Sequence, residues 1–272
     1  MPETKIITAY SANKHKLNFR KLWKYRTLMV AFAGRDIRTQ YAQTKLGVVW
    51  SFIQAVTAAL IINLFFGKIM KMQVPGIPYI IYAFPGMMAW YYFSYIVNNA
   101  GTALIQSQNI IKKVYFPKLI LPFYKTLVGL IDHLIWFVVF IFLMIFFACP
   151  FSINVLLLPV CILLNIITGL SVAIWLSALT IRYRDVSHFI PYLIGFGVFV
   201  TPVFFETAMI PPAYHYFIFF NPMAGVIALY RWCLFDMPLS INYLFGIVPA
   251  GLLFISGLYY FRRVEGIMAD II

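Results

Sequence analysis

Charge is scarce in this sequence. Only 11% of its 272 residues are charged and just eight are acidic, which excludes an ordinary soluble surface. With so few carboxylates, a paired-carboxylate active site is hard to assemble. Other signatures are missing too: there is no G-x-x-x-x-G-K-[ST] phosphate loop, no G-x-G-x-x-G fingerprint and no H-E-x-x-H zinc helix. ATP hydrolysis by this chain alone is therefore not expected. Strands of alternating polarity, which a membrane barrel needs, are absent. Met1 to Arg26 has no apolar core followed by a small-residue cleavage site, so no secretory signal is expected and the first span is retained. The three cysteines, Cys149, Cys161 and Cys233, lie in apolar or membrane-edge text without metal-ligand spacing. Buried thiols are favoured over disulfides or zinc.

What is present is apolar: 63% of residues are hydrophobic. Several runs reach the roughly 20 residues that cross a bilayer as helix. The expected fold is all-α and integral to a membrane, with six transmembrane helices. They lie near 46–69, 79–104, 119–148, 155–181, 186–204 and 243–261. Residues 1–45 read as a cytoplasmic N-terminus with an amphipathic interface helix from about Phe19, in which Trp23 and Tyr25 reach headgroup depth. Residues 46–272 read as one transmembrane domain. Within it, 205–242 carries Pro211, Pro212 and Pro222 among short aromatic runs, which suits re-entrant helices shielded by protein.

The net charge of +13 is concentrated ahead of the first span and in two later loops, Gln106 to Lys118 and Arg182 to Asp185. Anionic lipid contact and the positive-inside rule account for it better than nucleic acid does. Both termini are then cytoplasmic, with Lys68 and Lys71 a mild exception outside.

Three groups could carry function. Asp132 with His133 is an intramembrane ionisable pair, read either as a structural tie to a neighbouring span or wet cavity, or as a proton path. Trp90, Tyr91, Tyr92, Phe93 and Tyr95 form a dense aromatic cluster, read either as belt and packing or as a lining on which sugar faces slide. Gly169, Ala173 and Ser177, four residues apart, favour close helix packing.

The text Arg35-Asp36-Ile37-Arg38-Thr39-Gln40-Tyr41, then Thr44-Lys45-Leu46-Gly47-Val48-Val49-Trp50 and Gln54, resembles the start of the first span in type-2 ATP-binding-cassette export permeases for polysaccharides. That family includes O-antigen, capsule and teichoic-acid exporters. The similarity continues at Val114-Tyr115-Phe116-Pro117-Lys118 with Leu121-Pro122, at Arg182-Tyr183-Arg184-Asp185-Val186, at Thr201-Pro202-Val203, and at Asn221-Pro222-Met223 with Tyr230-Arg231. The blocks keep their order along most of the chain.

The resemblance implies a homodimer of six-span subunits in the bacterial cytoplasmic (inner) membrane, docked on two copies of a separate ATPase that carries the ATP and Mg. No cofactor is expected on this chain. The pore would lie at the subunit interface and the cargo would be a lipid-linked polysaccharide. Arg35, Asp36 and Arg38 would mark where a lipid headgroup enters or where the ATPase docks. Lys112, Lys113, Tyr115, Phe116 and Pro117 would form the ATPase coupling loop. Glu206, Asn221, Pro222, Tyr230 and Arg231 would belong to the external gate. Competing readings are an exporter of a drug or small lipid, an ion-coupled secondary transporter using Asp132, and a membrane glycosyltransferase, for which the short cytoplasmic loops offer few carboxylates.

Overall fold

A computed structural model describes residues 19–42 and 46–266. The parts of the N-terminal segment at 1–18 and 43–45, including Thr44 and Lys45, and residues 267–272 lie outside it. Among the described residues the architecture is helical: α1 Phe19–Lys24, α2 Arg26–Ala42, α3 Val49–Ile62, α4 Tyr79–Gly101, α5 Ala103–Gln106, α6 Gln108–Ile111, α7 Ile120–Phe146, α8 Leu158–Arg182, α9 Val186–Val200, α10 His215–Phe219, α11 Pro222–Phe235 and α12 Ile247–Glu265. A π-helical stretch, Asn63–Ile69, prolongs α3.

Five helical stretches are long and apolar enough to cross a membrane: Val49–Ile69, Tyr79–Gly101, Ile120–Phe146, Ile153–Arg182 and Ile241–Glu265. The expected span near 186–204 is a helix of only 15 residues, about 22 Å long at 1.5 Å per residue and so shorter than a ~30 Å hydrocarbon core. It ends because Thr201 turns extended (φ −103, ψ 137) ahead of Pro202, as the residue before a proline prefers. The proline-rich stretch that follows forms two helices, Pro212–Phe219 and Pro222–Phe235, meeting at 92°.

Tertiary hydrogen bonds establish which ends lie together. The Lys118 amide donates to Glu265 at 3.0 Å, joining the start of α7 to the end of α12. Thr180 Oγ1 donates to the Gly101 carbonyl at 3.1 Å, joining the ends of α8 and α4. This end also holds α2 and the lysines of the 107–118 loop, so it is the basic end. At the opposite end the Ser152 amide donates to the Leu234 carbonyl, tying the α7–α8 turn to the C-terminus of α11. The α11 N-terminus faces Gly246, directly before α12, where an added Cβ would lie 3.2 Å from the Asn221 carbonyl. Both ends of α11 therefore lie toward the far end.

The core is built around α4. Of its membrane window 78% is buried, against 17% for Val49–Ile69. Side chains from α4, α7, α8 and α11, among them Phe84, Met88, Phe140, Cys161 and Ile227, make one cluster. A second, toward the basic end, joins Ile96, Leu104, Tyr124, Ile174 and Phe261. Gly169, Ala173 and Ser177 do mediate close packing: Ala173 and Ser177 are fully buried, and a Cβ on Gly169 would meet Ile96 at 2.9 Å. Asn165, also fully buried, bridges α8 to α4 by donating to the Ala89 carbonyl at 3.0 Å.

Against this bundle α2 lays its apolar side. Leu28, Met29, Phe32 and Ile37 recur at helical spacing and pack on the second cluster. The Phe32 ring lies 5.7 Å from Phe116 and 5.5 Å from Tyr124. Val30 and Trp23 stay largely exposed.

Candidate functional site

A cavity of about 390 Å³ opens near the basic end, where the end of α2 and the start of α3 meet α4 and α7. It is lined by Gln40, Tyr41, Leu46, Gly47, Trp50, Ser51, Gln54, Tyr91, Tyr95 and Asp132. At its heart is Asp132, only 3% exposed. One carboxylate oxygen accepts from Tyr41 Oη at 2.7 Å and from Ser51 Oγ at 2.5 Å; the other accepts from Gln40 Nε2 at 3.1 Å. Three donors on two helices thus offset the desolvation of one buried carboxylate. Burial, together with the bond to Asp132, raises the Tyr41 phenol above its ordinary pKa.

The cavity wall on α4 follows from helical periodicity. Tyr91 and Tyr95 are four residues apart and share a face. Tyr91 stacks on Trp136 with ring centres 4.6 Å apart and donates to Gln54 Oε1 at 3.2 Å. Tyr95 lies against Gly129 of α7, where an added Cβ would fall 2.2 Å from its ring. The other aromatics of the cluster point elsewhere. Tyr92 is buried, donates to the Thr126 carbonyl and packs at a tilt on His133, ring centres 4.8 Å apart. Phe93 belongs to the core, and Trp90 packs on Phe93 and against Gly197 of α9. The five residues therefore divide between a cavity pair, a core pair and one contact with α9.

On the Trp90 side α4 carries a polar track. Ser94 Oγ donates to the Trp90 carbonyl, Asn98 Nδ2 to Ser94, Thr102 Oγ1 to Asn98, and Gln106 Nε2 to Thr102 Oγ1. Ser94, Asn98 and Thr102 are half-buried and Gln106 is exposed. Polar side chains left open along a span belong against water or protein, not lipid.

Arg35, Asp36 and Arg38 lie on α2, outside the cavity lining. Asp36 sits between Arg35 at 2.8 Å and Lys125 at 2.9 Å. Partial burial pushes its carboxyl up, yet the hydrogen bonds and charges of Lys125 and Arg35 outweigh that and hold it below the usual value. Arg35 also stacks over Phe32 at 5.4 Å, while Arg38 is exposed.

The 107–118 loop is anchored by Phe116, 3% exposed, and by the Lys118–Glu265 bond. Pro117 is half-buried, and Lys112, Lys113 and Tyr115 project outward, Tyr115 with 82% exposure.

At the far end Arg231 is buried. Its Nη1 and Nη2 donate to the carbonyls of Pro202 and Val203 at 3.1 and 2.7 Å, and the guanidinium sits 4.0 Å over the Tyr82 ring. Tyr79 Oη donates to the Phe204 carbonyl at 2.6 Å and Tyr82 Oη to Phe205 at 3.3 Å. The four carbonyls from Pro202 to Phe205, just past the end of α9, thus each find a side-chain donor. Asn221 caps α11 by accepting from the Met223 amide and donates to Thr201 Oγ1 at 2.9 Å; Pro222 occupies the first turn. Tyr230 instead meets His133 Nε2 at 3.1 Å in the core. Glu206 is half-buried, directly before the short helix at Thr207–Met209.

Sequence reasoning missed Tyr79, Tyr82, Ser51, Lys125 and the Ser94 to Gln106 track. The last had a readable signal in its four-residue spacing; the others act across 80 or more residues of chain. Among the described residues no His, Cys, Asp or Glu side chains gather in threes as a metal site. Cys161 and Cys233 are buried free thiols and Cys149 is half-buried.

A family model described as "ABC-2 type transporter" matches residues 27–235. The chain is 25% identical over 247 residues to an O-antigen export system permease protein RfbA of Klebsiella pneumoniae, covering 90% of this chain and 95% of that one. The RfbA protein of Myxococcus xanthus is 25% identical over 214 residues, 78% of this chain and 82% of that one. The polysialic acid transport protein KpsM of Escherichia coli is 27% identical over 250 residues, 87% of this chain and 93% of that one.

Proposed function

The chain belongs to the ABC-2 type transporter family, and from that membership we propose that it is the membrane-spanning subunit of an ATP-driven exporter of lipid-linked polysaccharide. It works as a homodimer in the bacterial cytoplasmic membrane, with the basic end inward and two copies of a separate ATPase chain beneath it. Relatives named for O-antigen export and polysialic acid transport, matched over nearly their whole length, support the cargo class. Family membership favours this reading over an ion-coupled transporter built on Asp132.

The observation that carries the translocation role is the polar track running from Ser94 and Asn98 on α4 through Thr102 to Gln106 on α5. It begins beside Trp90 and presents hydroxyl and carboxamide groups on both sides of the break at Thr102. Weak contacts repeated along such a track let a polymer enter and also leave. The sparse packing of α3 supports a second copy on that side, so that two tracks enclose one pathway.

Energy coupling falls to the basic end. Lys112, Lys113 and Tyr115 project as an unpartnered surface on a loop whose root is fixed, which suits a docking contact that transmits force. Arg35 and Arg38, on the neighbouring helix, attract either the diphosphate of a lipid carrier or the ATPase.

Purification from the native membrane tests this reading. An equimolar partner carrying a phosphate-binding loop, together with ATP-dependent polymer export from vesicles holding both chains, is the expected result. Transport driven by a proton gradient without any such partner overturns it.

A further inference from the structure

Two pairs of sequence neighbours, Asp132 with His133 on α7 and Tyr230 with Arg231 on α11, join distant parts of the bundle. Asp132 and His133 are buried, with 3% and 1% exposure. Adjacent residues on a helix point about 100° apart, so the two side chains reach different partners. Asp132 accepts from Gln40 and Tyr41 at the end of α2 and from Ser51 in α3. His133 Nε2 meets Tyr230 Oη at 3.1 Å, and the Tyr92 ring of α4 packs on its imidazole. Tyr230 and Arg231 are buried as well. Arg231 donates to the Pro202 and Val203 carbonyls, past the end of α9. A polar line thus runs from α2 through α7 and α11 to the backbone that follows α9.

The surroundings make these links stiff. Tyr230 belongs to the same apolar cluster as Met88, Trp136 and Ile227. In such a place no water takes over a broken hydrogen bond, and a buried donor or acceptor left unpaired costs its full desolvation. A shift of α2 that would part Tyr41 from Asp132 must therefore either meet that cost or turn α7 with it. A turned α7 faces the same choice at Tyr230. Apolar contacts, being non-directional, impose no such demand.

We propose that Asp132, His133, Tyr230 and Arg231 are positioning residues in series, a relay that ties the placement of α2 to that of the backbone at 202–203. The buried acid and its histidine neighbour thereby gain a use that needs no proton transfer. Service in transport rests on the exporter reading, in which α2 lies at the ATP-driven end, but the linkage itself does not.

The test reads each end of the relay while the other is altered, in the full-length permease in nanodiscs without nucleotide. Amide protection, relative to intrinsic exchange rates, is followed by mass spectrometry in α2 and in residues 201–206. Tyr41→Phe removes one of the three donors to Asp132 and keeps the ring. It should lower protection at 201–206 at least threefold. Tyr230→Phe should lower that of α2 at least threefold, since coupling between two sites is reciprocal. His133→Phe keeps a ring between Tyr92 and Tyr230 but cuts the relay. On that background Tyr41→Phe should still loosen α2 yet alter 201–206 by less than 1.5-fold. Gly257→Ala, which crowds Trp175 between α12 and α8, disturbs the bundle away from the relay and should leave both segments within 1.5-fold. Confinement of the Tyr41→Phe effect to α2 and α3 overturns the relay. So does a remote effect that survives His133→Phe, or one that Gly257→Ala matches, which marks general loosening. A permease that fails this test yet exports polymer with its ATPase leaves the exporter reading standing. One that passes but recruits no ATPase sinks that reading alone.

Discussion

Lys125 Nζ lies 2.9 Å from an Asp36 carboxylate oxygen, and that contact fastens α2 to α7 seven residues before Asp132 repeats the connection from the other side. Helix α2 is therefore held at two levels. The outer tie is partly solvated and titratable, and the inner one is buried.

The outer tie predicts a pH response. The Asp36 carboxyl is held below its usual value, so its contribution is present above the ordinary carboxylate pKa of about 3.9 and is lost as pH falls through the lowered folded value. Protection of the α2 amides, measured relative to their intrinsic exchange rates at each pH, should stay high at neutral pH and fall only in that acidic window. Asp36→Asn should speed exchange at neutral pH and flatten the response, at a cost on the order of 1 kcal/mol or less for a partly screened pair.

Arg231 closes the unwound end of α9. Replacing it with Met removes two charge-assisted hydrogen bonds and leaves the Pro202 and Val203 carbonyls without those donors. A loss of about 2–3 kcal/mol is expected, read as a lowered melting temperature in detergent. Arg231→Lys should recover only part of it, since a single ammonium cannot reproduce the fork.

At Gly129 the space is already taken by the Tyr95 ring. Gly129→Ala should cost about 1–3 kcal/mol through overpacking and reduce polymer export. The double variant Gly129→Ala with Tyr95→Leu should recover stability, because the smaller side chain yields room. Equal stability of the single variant and the parent would show that the ring moves freely.

Tyr115 tests coupling. Its side chain is 82% exposed, so Tyr115→Ala should change folding stability by no more than about 0.5 kcal/mol. Export should nevertheless fall severalfold, with ATPase activity of the complex retained. Undiminished export would reduce the projecting loop to a charge anchor.

Much of this fold was legible in the sequence because bilayer thickness turns apolar length into spans. The sharp bend between Pro212–Phe219 and Pro222–Phe235 is signalled by Pro211, Pro212 and Pro222, since a proline cannot continue a helix that precedes it. What escaped was rotational phase. Tyr91, Tyr92, Phe93 and Tyr95 look alike as text, yet the 3.6-residue turn sends the first and last to a cavity and the middle two to the core. Asp132 stood out as an intramembrane acid, but its partners lie 81 to 92 residues away, and no local pattern announces such a pairing. The early end of α9 was equally hidden, since Thr201 and Pro202 sit in text as apolar as the helix before them.

The hydrogen bond from the Lys118 amide to Glu265 has a practical side. It makes the tail of the last helix a remote indicator for the loop, because displacement of one must either drag or release the other. A spin label near Glu265 would register movement of the loop from a position outside the loop itself.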